Sequence, residues 1–85
     1  MQKITREMRG IPYFLLKEYL EELGGRQVKR DEIAGDGWSV KLIKMAPYKL
    51  FSLEVGQTRL EMELDDEIAE DFLKRFSMKT MRAGA

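Results

Sequence analysis

The sequence predicts a two-layer α+β domain: an antiparallel sheet covered on one face by two helices, in the order β-α-β-β-β-β-α. Three observations carry this expectation. Apolar residues recur at helical spacing in one stretch near each end, the segments between them alternate with period two, and the breaks between segments are short and rich in Gly, Pro and Asp. A meander with one wet face must bury its dry face, and two amphipathic helices supply the cover. At 85 residues the chain is expected to form one domain spanning residues 1–85.

The first strand is QKITREM, in which Ile4 and Met8 face one way and Lys3, Thr5 and Glu7 the other. Arg6 falls on the apolar side, either near the strand end or at a functional edge. The first helix lies in RGIPYFLLKEYLEELGG. Pro12 suits the first helical position, where a missing N–H costs nothing. Leu15, Leu16, Tyr19, Leu20 and Leu23 share a face, Lys17, Glu18, Glu21 and Glu22 take the other, and Gly24-Gly25 ends the helix. The stripe reads as a core-facing surface rather than a partner groove.

RQVKRDEI makes a weak strand, since Val28 and Ile33 have opposite parity and a bulge or early end is expected. Asp36-Gly37 then signals a hairpin. WSVKLIKM places Trp38, Val40 and Leu42 on one face, and Pro47 predicts a strand break or turn. YKLFSLEV is read as the next strand, with Phe51, Leu53 and Val55 inward and Gly56-Gln57 as the following turn. TRLEMEL alternates most cleanly, with Leu60, Met62 and Leu64 against Arg59, Glu61 and Glu63. The dry face is thus expected to carry Trp38, Val40, Phe51, Leu53, Leu60 and Met62. DDEIAEDFLKRF gives the second helix: Asp65 or Asp66 caps it, Ile68, Ala69, Phe72, Leu73 and Phe76 face the core, and Lys74 and Arg75 sit in its last turn. The tail SMKTMRAGA fits either a short strand or an ordered coil.

Composition narrows the chemistry. The chain has no cysteine and no histidine, which removes thiolate chemistry, the commonest general base near neutral pH and the usual ligands for zinc or iron. No catalytic motif, P-loop or dinucleotide fingerprint is present, so no enzyme activity, metal or other cofactor is expected. Lys+Arg and Asp+Glu balance at 15 each, and nucleic acid is not the expected partner. No apolar run approaches the roughly 18–20 residues of a membrane span, nor does the N-terminus contain a signal-peptide core; the expected address is the cytoplasm. The acidic run EMELDDEIAEDF reads as a solvated, helix-capping face, because its carboxylates spread over a strand and a helix start.

Two sets of candidate functional residues remain. Trp38, at the mouth of a pocket between sheet and helices, with Arg6 or Arg30 as anion anchor, would serve a small-molecule or anion-binding domain; core packing is the other reading of Trp38. Basic residues at 26, 29 and 30 and at 74, 75, 79 and 82 would join into an anion patch if the tail folded back. Ile43, Tyr48 and Leu50 have parity opposite to the inward sets, which leaves an apolar patch on the outer face and predicts a homodimer or partner interface.

The element order, with RGIPYFLLKEYLEELGG joining the first strand to the second and an amphipathic helix near the end, resembles a known family. It is similar to the C-terminal accessory domain of certain MoaD-related proteins, which follows a ubiquitin-like molybdopterin-synthase small-subunit domain. The resemblance implies a TBP-like fold and an association with pterin-cofactor assembly for molybdenum or tungsten enzymes. It carries no functional residue onto this chain. The sequence ends in MRAGA rather than the Gly-Gly terminus that sulfur-carrying small subunits activate, so sulfur transfer is not expected of it. The leading expectation is a non-catalytic binding or interaction domain.

Overall fold

A computed structural model describes residues 1–82. Its five strands form one antiparallel sheet in the spatial order β1-β5-β4-β3-β2, with α1 between β1 and β2 and α2 after β5. The α+β class and the element order are those the sequence predicts. β1 (Gln2–Arg9) pairs with β5 (Leu53–Leu64) along its whole length, placing Ile4 across from Met62 and Arg6 across from Leu60. Because β1 and β2 lie at opposite edges, α1 (Tyr13–Glu22) must carry the chain across the sheet. It does so by burying Leu16 and Leu20 completely, with Ile11 buried just ahead of it.

Pro12 stands at the N-cap rather than one residue later, and its carbonyl accepts from the N–H groups of Leu15 and Leu16. The helix ends as Gly24-Gly25 predicts. Gly24 takes φ +100°, its N–H donates to the Glu21 carbonyl, and the Gly25 N–H reaches back to Leu20. Gly25 has a second task. A Cβ there would lie 2.5 Å from Trp38 Cη2, and a Cβ at Gly35 would lie 2.5 Å from Trp38 Cε2. The two glycines therefore make the slot in which the indole lies, with the Phe72 ring 4.7 Å away, centroid to centroid.

The strand boundaries differ from the sequence reading although their order does not. RQVKRDEI is two strands, β2 (Arg26–Lys29) and β3 (Glu32–Gly35), joined by a turn at Arg30-Asp31. The parity clash between Val28 and Ile33 marks that turn. β3 pairs with β4 (Trp38–Leu50) through the expected Asp36-Gly37 turn. Pro47 does not break β4. The strand instead shifts register between Met45 and Tyr48, absorbing the missing N–H as a bulge.

YKLFSLEV is consequently split. Its first half completes β4, the chain reverses at Phe51-Ser52, and its second half begins β5, which runs straight through Gly56-Gln57. Phe51 sits in the turn with φ +58° and is 97% exposed, and Leu53 is exposed as well. Neither belongs to the dry face. That face is built from Ile33, Trp38, Val40, Leu42, Leu60, Met62 and Leu64, with Ala69, Phe72 and Phe76 of α2 (Asp66–Arg82) packed into the same core.

α2 starts directly after Asp65, whose carbonyl accepts from Ile68 and Ala69, and Asp66 and Glu67 occupy its first turn. It runs on to Arg82, so the tail through residue 82 is neither strand nor coil, and Lys74 and Arg75 lie mid-helix. Thr80 is buried there, its hydroxyl donating to the Ser77 carbonyl at 3.0 Å. Residues 83–85, the end of the tail, lie outside the described residues.

Candidate functional site

Two places in this fold collect side chains that the core does not use. The first arises because β3 is shorter than β4. Its ladder ends with Glu32 across from Lys41, and the Arg30-Asp31 turn closes over the next residue, the Leu42 N–H donating to the Asp31 carbonyl at 2.7 Å. Beyond that point β4 has β5 on one side and no strand on the other. The first turns of α1 stand over this open edge. Tyr13 donates its hydroxyl to Asp31 Oδ1 at 3.2 Å, and Lys17 donates from Nζ to the Arg30 carbonyl at 2.9 Å. Lys17 Nζ lies 4.9 Å and Lys44 Nζ 5.0 Å from the centroid of the Tyr13 ring.

The open cleft between them has a volume of about 440 Å³ and is lined by these residues together with Leu42 and Ile43. Three cationic side chains (Lys17, Arg30, Lys44) face one carboxylate (Asp31) across it. Burial pushes the Tyr13 hydroxyl pKa above its ordinary value, and the hydrogen bond to Asp31 and that residue's charge push the same way against the pull of Arg30. The hydroxyl thus stays protonated and a donor at neutral pH.

The second place is the arm formed where β4 and β5 continue past the last β1 pair, Arg9 with Gln57. The bulge leaves the Ala46 carbonyl outside the ladder, and Gln57 Nε2 donates to it at 3.0 Å. Arg9 Nε in turn donates to Gln57 Oε1 at 2.9 Å, and the Arg9 guanidinium lies 4.2 Å from the Tyr48 ring centroid. These three contacts brace the base of an otherwise two-stranded ribbon. Tyr48 pairs with Val55 and Leu50 with Leu53, so all four project from one face, the side opposite the helices that also carries Ile43 and Met45. The Phe51-Ser52 reversal, which parity alone did not reveal, puts Leu53 and Val55 beside Tyr48 and Leu50 rather than opposite them.

The sequence-predicted residues separate accordingly. Arg30 lies in the cleft, whereas Arg6 sits half-buried on β1, at the far edge of the sheet, so the two cannot hold one ligand. Trp38 is 7% exposed and packs in the core, lining a recess of about 150 Å³ with Phe72 and Arg75. Ile43, Tyr48 and Leu50 do share a face. Of the basic clusters, Arg75 Nε pairs with Asp71 at 3.0 Å and Lys79 Nζ with Glu22 at 2.8 Å, and the segment that carries them continues α2 to Arg82 instead of folding back. The sequence does not single out Tyr13, Lys17 or Lys44, because nothing local shows that β3 ends early and leaves β4 open beneath α1.

No group of three or more carboxylate residues converges as a metal site among the described residues, and no described helix is long and apolar enough to cross a membrane. Compared with known families, the sequence matches the model of the archaeal MoaD-like protein family over residues 4–85. The chain belongs to that family. None of the curated proteins matches it. In this MoaD-like chain the matched segment runs from the third residue of β1 through α2, and so includes both the cleft and the arm.

Proposed function

We propose that this MoaD-like chain is a non-catalytic cytoplasmic interaction domain, an accessory to assembly of the pterin cofactor of molybdenum or tungsten enzymes. Membership of the MoaD-like family over nearly the whole chain is the observation that carries this reading. In it, the two-layer domain corresponds to the TBP-like accessory domain that follows a ubiquitin-like domain in related proteins. The absence of Cys and His agrees with a role in binding rather than chemistry.

The contact surface in this reading is the helix-free face of the arm, with Ile43, Tyr48 and Leu50 joined by Leu53 and Val55. Its occupant is a protein, in the simplest case a second copy of the chain. The test is affinity capture from the source cell by the immobilised chain, in parallel with an Ile43→Lys/Leu50→Lys variant. Recovery of a cofactor-assembly or molybdenum-enzyme protein by the wild type and not by the variant supports the proposal. Capture of no such protein withdraws the cofactor link.

A further inference from the structure

The cleft beneath α1 holds an arrangement that the interaction-domain reading neither uses nor needs. Two ammonium groups, Lys17 and Lys44, are gathered around one tyrosine ring, and a third cation, Arg30, stands in the same wall. Like charges held together repel, and an anion seated among them relieves that repulsion. Among the described residues, no carboxylate comes within ion-pairing distance of the three cleft cations. Asp31, the one acid in the wall, is turned to the Tyr13 hydroxyl instead.

The backbone adds a donor. Leu42 directs its N–H away from β5, toward Asp31, and strand alternation turns the N–H of Lys44 the same way. Lys44 lies past the end of β3, so that N–H opens onto the cleft with no strand to meet it. An unpaired amide beside three cations is the donor set that takes up a multiply charged oxyanion. At about 440 Å³ the cleft exceeds what a bare ion fills and falls in the range of small-ligand sites. Leu42 and Ile43 complete the lining along the stretch of β4 that β3 leaves open.

We propose that this cleft binds a small organic phosphate ester, its phosphate held by Lys17, Arg30, Lys44 and the Lys44 N–H. Asp31 keeps Tyr13 in place and, through its charge, admits a ligand only where the three cations outweigh it. This does not depend on the cofactor-assembly reading, and either can fail alone.

The experiment is a backbone-amide NMR titration of the full chain with ribose 5-phosphate, and in parallel with ribose and with inorganic phosphate. Saturable shifts centred on the Leu42, Ile43 and Lys44 amides with ribose 5-phosphate, weaker binding of inorganic phosphate and none of ribose are expected. Loss of one charge-assisted contact in Lys17→Gln or Lys44→Gln should weaken the ester by about tenfold or more. Lys44 is exposed and Lys17 half-buried, and unchanged amide positions away from the cleft will show that the variants fold. The proposal is overturned by an absence of saturable shifts at these amides, by affinity unchanged in both variants, or by inorganic phosphate binding as tightly as the ester.

Discussion

The two ends of the β4–β5 hairpin use similar residues and reach opposite outcomes. At one end Val40, Leu42, Leu60 and Met62 are at most 1% exposed, sealed beneath the helices. At the other Leu50 is 46% and Leu53 64% exposed, although they alternate along the same two strands. The difference lies in what surrounds the hairpin. Near Trp38 it has β1 and β3 as lateral neighbours and helices over one face; beyond Gln57 it has neither. A two-stranded ribbon is marginal in water by itself. This one persists because it extends a sheet already formed and because Arg9 and Gln57 brace its base. Thirteen residues at roughly 3.3 Å each reach about 43 Å, which matches the 43 Å long axis of the molecule.

The largest test of this contrast compares two phenylalanines. Phe76 is fully buried, its ring stacked on Phe72 at 6.3 Å. Phe76→Ala should cost about 3–5 kcal/mol in urea denaturation, whereas Phe51→Ala at the arm tip should cost no more than about 0.5 kcal/mol. Comparable losses at both positions would mean that the arm is packed in a way its exposure denies.

Phe51 offers a change of the opposite sign. It holds φ +58°, where a side chain is strained, and being 97% exposed it gains little from burial. Phe51→Gly should therefore stabilise the fold by about 1 kcal/mol, read as a higher thermal midpoint. A lower midpoint would show that the tip ring makes contacts worth more than its strain.

The same region marks how far the sequence could be read. Strand and helix identities follow from periodicity, and WSVKLI and TRLEMEL are visible as half-buried strands from alternation alone. The reversal at Phe51-Ser52 is not, because phenylalanine is not expected at a positive φ, Ser52 alone is a weak turn signal, and the Gly56-Gln57 pair nearby offers a stronger false one. The cleft is hidden for a related reason. Arg30 could be singled out as a cation, but Lys17 reads as part of a wet helix face. Lys44 acquires meaning only when β3 stops short and the strand order brings α1 over the gap. Ile43, Tyr48 and Leu50 are legible as outward-facing because parity excludes them from the core, and the register shift at Met45–Tyr48 keeps them on one face.

The apolar side of the arm gives the next test, which affects association more than folding. If a second copy covers it, Ile43→Lys with Leu50→Lys should convert a dimer to a monomer in analytical ultracentrifugation while the thermal midpoint measured on the monomer changes little. A wild-type chain that sediments as a monomer at high concentration removes the second copy as occupant and leaves a different protein as the partner to seek.

The smallest expected effect tests the covered side, at Tyr13. Its pKa is raised above the ordinary value of 10.0 by burial first and by Asp31 second. The sign follows from linkage: below about pH 10 the hydroxyl is protonated in both folded and unfolded chains, and its contribution to stability is fully present. As the pH climbs past that value the unfolded chain releases the proton first, so the contribution declines until the folded pKa is passed. Tyr13→Phe removes both the proton and the 3.2 Å hydrogen bond to Asp31. The wild type should therefore be the more stable by about 0.5–1.5 kcal/mol near neutrality, and the gap should narrow as the pH rises above the ordinary tyrosine value of 10.0. Subtracting the two profiles cancels every group that the wild type and the variant share. A gap that stays constant to the highest pH would mean that Tyr13 ionises alike in the folded and unfolded chains, and that Asp31 does not hold its proton.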